Sequence, residues 1–315
     1  MTQQEREEWL AERRTGIGGS DAGAILGVSP WNTAVSVWLD KTGRSTPKPE
    51  SEAMRIGTEL EDFVARRYSQ ETGRSVERFK KMLHKGCLLG NYDRLVVPEG
   101  AKVASHKGEV RTDTLLECKT SSAFGWDEGV PPIYMAQVMH YMCLSPCLQH
   151  ADVACLFLNI KQFKVFRVER DDELIASMQE RLTDWWERYV VADVPPPPAS
   201  EDDCKLLWAK SNPGKSVTAS EEIAKRLSEY RDVEARIKEL QGESQKAKDD
   251  ICAFMEDAEV LVGLDGRPLL TWKSSKDSTK TDWKAVAMDM QASQEIIASH
   301  TVTTPGSRRF TPKAA

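Results

Sequence analysis

Thr114-Leu115-Leu116-Glu117-Cys118-Lys119 is an apolar run that closes on Glu-x-Lys. Its composition fits a β-strand, in which successive side chains leave on opposite faces. Glu117 and Lys119 then share one face. Cys118 turns to the other face, and its backbone carbonyl stays available as an oxygen donor. Upstream, Gly90-Asn91-Tyr92-Asp93-Arg94-Leu95 reads as part of a neighbouring strand over 88–97. If the two strands pair, Asp93 comes beside Glu117. The 23 residues between Asp93 and Glu117 leave room for an extended hairpin loop.

Two carboxylates and an ammonium on one strand pair have a specific chemical meaning. Asp93 and Glu117 can share a Mg²⁺ ion, which prefers oxygen ligands and keeps several waters. Lys119 is then placed to orient or help deprotonate an attacking water at a phosphodiester, and a second metal could hold the leaving oxygen. Plainer readings exist for each residue. Glu-x-Lys also makes ordinary ion pairs, Asp93 suits a turn, and Asp113, four residues before Glu117, competes for the acidic role.

Composition bounds the alternatives. The 315 residues, 40% hydrophobic and 29% charged, describe a globular chain with a sizeable core. No run approaches a membrane span, and Met1-Thr2-Gln3-Gln4-Glu5-Arg6 is no signal peptide, so a cytoplasmic protein is expected. Seven cysteines without a Cys-x-x-Cys pair fit reduced core thiols, and the spacing of Cys143, Cys147 and Cys155 does not fit the common iron–sulfur runs. A formal net charge of −6 argues against nucleic-acid binding by bulk charge but permits a local groove. Arg74, Arg78, Lys80, Lys81 and Lys85 are either such a phosphate track or a solvated face.

Helical patterns occupy 20–26, 33–41, 56–70, 133–143 and 171–191, and strand patterns occupy 88–97, 114–119, 151–159 and 163–168. The fold class expected is α/β, a central mixed sheet flanked by helices over residues 1–194. Pro195 to Pro198 open a proline-rich linker, taken as 195–217. A mainly helical C-terminal extension follows over 218–315. It begins with a long helix from a Thr218-Ala219-Ser220-Glu221 capping box to Ala258, with Gly242-Glu243-Ser244 as a possible bend. Asp265-Gly266 then signals a β-hairpin.

Three further segments surround the strand pair. Arg14-Thr15-Gly16-Ile17-Gly18-Gly19-Ser20-Asp21 is a glycine-rich turn opening a helix, and Arg14 and Ser20 could complete an anion pocket there. Gly57-Thr58-Glu59-Leu60-Glu61-Asp62-Phe63 puts Glu61 on a helix near its core face. In Tyr134-Met135-Ala136-Gln137-Val138-Met139-His140-Tyr141, Gln137 and Tyr141 share one face of an apolar helix.

In order and content these segments resemble the YqaJ-like viral recombinase group of phage recombination exonucleases, the phage lambda exonuclease family within the PD-(D/E)XK nuclease superfamily. The resemblance covers about residues 10 to 190, and Gly-Ile-Gly-Gly-Ser-Asp and Tyr-Met-Ala-Gln-Val are its most specific parts. The tail, with Thr271-Trp272-Lys273 and Arg308-Arg309-Phe310, is similar to the C-terminal extension of many YqaJ-like members. The resemblance implies a restriction-endonuclease-like core and a Mg²⁺-dependent exonuclease, with Mn²⁺ as an alternative ion. Such an enzyme would degrade one strand of linear duplex DNA from its 5′ end and leave 3′ single-stranded overhangs. It implies Asp93, Glu117 and the Cys118 carbonyl as metal ligands and Lys119 as the catalytic lysine. Glu61 would assist a second metal, Gln137 would reach the phosphate or water with Tyr141 beside it, and Arg14 and Ser20 would hold a 5′-phosphate. Relatives form homotrimeric rings around DNA beside a single-strand annealing recombinase, in bacterial cells carrying phage or prophage genes. One departure stands out: the family often has Asp-Gly where this chain has Asp93-Arg94. A nuclease-fold DNA-binding or assembly protein without catalysis, or an endonuclease on the same fold, are the competing readings.

Overall fold

The computed structural model describes residues 11–45 and 51–302; Arg308-Arg309-Phe310 lie outside the described residues. The chain forms two compact units that meet in sequence between Lys210 and Ser211.

The first unit is built on a five-stranded mixed sheet. Its strands in chain order are β1 (Val76–Glu77), β4 (Arg94–Val96), β7 (Thr114–Ser121), β8 (His150–Phe157) and β9 (Gln162–Glu169), and that is also their spatial order. β7 and β8 run parallel and the other neighbours antiparallel. Two small hairpins, β2 (Leu83–Lys85) with β3 (Leu88–Gly90) and β5 (Ser105–His106) with β6 (Glu109–Val110), lie between the central strands in sequence. The second turns at Lys107-Gly108, both at positive φ, a requirement of the tight hairpin turn. It supplies the loop expected between Asp93 and Glu117.

Helices cover both sheet faces. On one face α3 (Glu52–Thr72) starts at Ser51, whose hydroxyl accepts from Met54 N, and ends at Gly73 in the left-handed region. It buries Val64, Ala65 and Tyr68 against Val96, Leu116 and Ala154. Phe63, next to buried Val64 in the chain, is exposed. On the other face α4 (Pro132–Leu144) crosses from β7 to the parallel β8. It begins on a proline, whose missing N–H costs a helix nothing in its first turn, and is buried along Ala136–Cys143. Outside α4 pack α1 (Gly19–Ile25), α2 (Ala34–Lys41) and α5 (Asp172–Trp185).

The sequence pattern misplaces three features. The strand expected over 88–97 is broken at Asn91-Tyr92-Asp93, because Tyr92 turns inward to donate to Tyr141 O and meet Ser145 Oγ. The helix expected over 171–191 changes at Trp186 to a π-helical turn, Trp186–Val191. The prolines also do not end the first unit. After them α6 (Glu201–Leu207) returns to α2, where buried Asp203 accepts from Thr33 Oγ1 at 2.5 Å. The unit boundary therefore falls within the linker expected over 195–217, not at its start.

The second unit holds α7 (Glu221–Met255), the hairpin β10 (Val260–Val262) and β11 (Pro268–Thr271), and the short helices α8 (Trp283–Asp289) and α9 (Gln294–Ser299). Gly242-Glu243-Ser244 does not break α7, and its cap is Ser220 rather than Thr218, with Ser220 Oγ accepting from Ile223 N. The Asp265-Gly266 hairpin forms as expected.

Candidate active site

The site sits where β4 ends beside β7. β4 pairs with β7 only at Arg94 with Leu116 and Leu95 with Leu115, so β7 runs on past its neighbour. In place of a partner strand, the Asp93 carboxylate accepts from the Cys118 amide at 2.8 Å. The N–H and C=O of one strand residue leave on the same side. The Cys118 carbonyl therefore faces the Asp93 side as well. α3 from one face and α4 from the other close a cleft of about 370 Å³ here, lined by Glu61, Asp93, Glu117, Cys118, Lys119 and Gln137 among others.

Glu117 is the centre of this arrangement and is buried. Its Oε1 lies 2.6 Å from Lys119 Nζ and accepts from Gln137 Nε2 at 2.8 Å. Gln137 also accepts from Lys119 at 3.1 Å and donates to Tyr141 OH at 3.0 Å. Helical spacing thus puts Gln137 and Tyr141 on one face, as read from sequence. Glu117 Oε2 is different: it is buried and has no hydrogen-bond partner in the structure. A buried, unpartnered carboxylate oxygen is costly unless something positive meets it.

The electrostatics agree with that reading. Burial, reinforced by Glu117 and Glu61 and opposed by Lys119, raises the Asp93 carboxyl well above the ordinary range. Burial alone would weaken the charge on Lys119, but Glu117 and Asp93 outweigh it and raise its pKa. Its ammonium also lies 4.9 Å from the Tyr134 ring centroid, over an aromatic face that favours a cation.

Asp93, Glu117 and the Cys118 carbonyl are hard oxygen donors, suited to Mg²⁺ or Mn²⁺ with waters filling the remaining positions. The unpartnered Glu117 Oε2 fits such an ion. No group of three or more His, Cys, Asp or Glu side chains among the described residues is arranged as a complete metal cage.

Other expected residues fall in different places. Asp113 is exposed at the far end of β7, where its carboxylate accepts from Thr114 Oγ1. Glu61 lines the cleft, yet its Oε1 is held by Arg94 Nη1 at 2.7 Å. In the glycine-rich turn Arg13, rather than exposed Arg14, donates to Ser20 Oγ at 3.1 Å and lies 3.6 Å from Asp21. The turn touches the site through Gly19, which packs on the Tyr141 ring. The basic cluster is partly absorbed by internal contacts: Arg74 pairs with Asp152, Arg78 with Asp62, and Lys85 donates to Gln179. All seven cysteines are free thiols. No described helix is long and apolar enough to cross a membrane.

A mixed sheet whose β7 carries Glu-x-Lys beside an aspartate, with a helix on each face, is the restriction-endonuclease-like fold of the PD-(D/E)XK class. Residues 8–147 match the YqaJ-like viral recombinase domain. The chain is 35% identical over 281 residues to the uncharacterized protein YqaJ of Bacillus subtilis (strain 168), covering 85% of this chain and 83% of that protein. It belongs to the YqaJ-like viral recombinase family. Among solved structures, it is similar to the alkaline exonuclease LHK-Exo of Laribacter hongkongensis (TM-score 0.46, 22% identity, 59% of this chain and 93% of that one). It is also similar to a phage related exonuclease of Haemophilus somnus 129PT (TM-score 0.41, 15% identity, 56% and 95% covered).

Proposed function

We propose that this protein is a divalent-metal-dependent exonuclease that hydrolyses one strand of linear duplex DNA from the 5′ end and leaves 3′ overhangs for recombination. The observation that carries the reading is Glu117: one oxygen is fixed by Lys119 and Gln137 while the other is buried without a partner beside Asp93.

In this reading Asp93, Glu117 and the Cys118 carbonyl hold the ion, with Mg²⁺ preferred and Mn²⁺ able to substitute. Bound there, the ion polarises the phosphoryl oxygen and acidifies a bound water. Lys119, kept charged by its two carboxylates, places a fixed cation and donor beside the scissile phosphate. Gln137 hydrogen-bonds to both Lys119 and Glu117 and is itself steadied by Tyr141. The 5′-phosphate role expected of Arg14 and Ser20 falls to Ser20 with Arg13, the arginine that reaches it. A homotrimeric ring and a single-strand annealing partner belong to the same reading, supported by the family alone.

The test is incubation of the full chain and Lys119→Ala with Mg²⁺ and end-labelled linear duplex, beside covalently closed circles. Loss of linear DNA only, with the 5′-labelled end released first and Lys119→Ala inactive, is expected. Cutting of circles would make it an endonuclease. Binding without any cleavage would make it an assembly protein.

A further inference from the structure

Arg94 is a buried charged residue beside this site that the proposed chemistry does not use. It lies on β4 opposite Leu116, so its side chain leaves on the Leu116 face of the sheet, the face covered by α3. Only 5% of the side chain is exposed, which is rare for a guanidinium and requires partners for its charge. It has them. Nη1 donates to Glu61 Oε1 at 2.7 Å and to the Asp93 carbonyl, and Nη2 donates to Asp62 Oδ1. Arg78 braces the same acids, 2.6 Å from Asp62 and 3.9 Å from Glu61.

We infer that Arg94 makes this a single-cation centre, by holding the Glu61 carboxylate away from coordination and placing a fixed positive charge beside it. The inference rests on the proposed metal-dependent function and goes beyond it. Three observations support it. Glu61 lines the same cleft as Asp93 and Glu117 but is turned to a guanidinium. Asp93, Glu117 and Glu61 do not form a three-carboxylate cage, and no other such cage exists among the described residues. The charges balance for one ion only. With Asp93 ionised by a bound cation, Asp93, Glu117, Glu61 and Asp62 face Lys119, Arg94 and Arg78, leaving a single negative charge in excess. One divalent ion leaves the centre at modest positive charge, which a phosphodiester can offset. A second ion, about 3.5–4 Å from the first in two-ion sites, would meet the Arg94 charge and a Glu61 carboxylate already bound to that guanidinium. Arg94 is therefore a positioning residue, acting through Glu61 and the Asp93 backbone.

The experiment is a Mn²⁺ titration of the full-length protein, read by electron paramagnetic resonance of the free ion and requiring no DNA. Wild type should bind one Mn²⁺ per chain, lost in Glu117→Gln. Arg94→Met, which keeps the buried stem and frees Glu61, should bind two, and Arg94→Met with Glu61→Gln should return to one. Arg94→Lys, which keeps the charge in case the Met variant misfolds, should stay at one. Two ions in wild type, with one lost on Glu61→Gln, would overturn the inference while leaving the metal-dependent reading intact. A single ion in folded Arg94→Met, or two in Arg94→Lys, would also overturn it. No Mn²⁺ bound to wild type would overturn both.

Discussion

Lys119 Nζ lies 2.6 Å from Glu117 Oε1, two residues earlier on the same face of one strand. Glu117 is 2% exposed and Lys119 19%, so each charge depends on the other. Removing one partner of such a pair leaves a buried charge uncompensated, at a cost of about 3 kcal/mol. Lys119→Ala should therefore lose stability as well as activity. Glu117→Gln in the Lys119→Ala background should recover much of the stability and none of the activity. Urea unfolding in the presence of chelator checks the first statement. Duplex degradation with Mg²⁺, expected to fall at least ~100-fold in both variants, checks the second. Equal stability of the single and double variants would mean the pair is not buried as described.

Gly19 and Tyr141 test whether the glycine-rich turn is coupled to the site. A Cβ on Gly19 would lie 2.5 Å from Tyr141 Cε1 and 2.8 Å from Cζ. The ring cannot swing away, because it is buried and stands edge-on to Tyr92 with centroids 5.4 Å apart. Gly19→Ala should cost about 1–3 kcal/mol by overpacking. It should also push Tyr141 off Gln137 and lower the cleavage rate more than Tyr141→Phe, which loses one hydrogen bond and no packing. Thermal melts and single-turnover rates of the two variants decide it; the reverse order of rates would uncouple the turn from the site.

The strand reading of Glu117 and Lys119 depended only on an alternation two residues long, which local sequence carries. The Gln137–Tyr141 spacing was legible for the same reason. Arg94 was not. In sequence it reads as one polar residue in an apolar strand, and its meaning comes from β4 facing α3, a contact between segments 32 residues apart. Arg13 and Arg14 are adjacent and chemically identical, so only the direction of the backbone before Ile17 selects Arg13 for Ser20. The break at Tyr92 was hidden because an inward tyrosine and a strand tyrosine look alike until Ser145 and the Tyr141 carbonyl supply its hydroxyl with partners.

Asp203 tests the boundary after the prolines. It is 1% exposed, accepts from Thr33 Oγ1 at 2.5 Å and from Ala199 N at 2.9 Å, and so ties α6 to the start of α2. Asp203→Ala leaves two donors without their acceptor, and about 2–3 kcal/mol should be lost. Chemical denaturation measures this, and a change below ~0.5 kcal/mol would place the residues after Pro198 outside the first unit's cooperative fold.

His140 gives the fold a pH dependence with a definite sign. It is buried on α4, with Nε2 2.9 Å from the Leu89 carbonyl and Nδ1 without a partner. Burial lowers its pKa below the ordinary histidine value, against a smaller opposing effect of the Leu89 carbonyl. Below an unfolded pKa of about 6.5 the unfolded chain then binds a proton that the folded chain refuses. Stability from this group is complete above that pH and is lost as pH falls toward the depressed native value, by up to about 1.4 kcal/mol per pH unit. Asp93, whose native pKa is raised, acts in the opposite sense as pH rises above its unfolded value, so the wild-type curve alone mixes the two. The difference between wild type and His140→Gln isolates the histidine. Urea midpoints from pH 8 to pH 5, in chelator, should show wild type falling more steeply below pH 6.5 than the variant. Parallel curves would mean that His140 takes up its proton in the folded state without penalty.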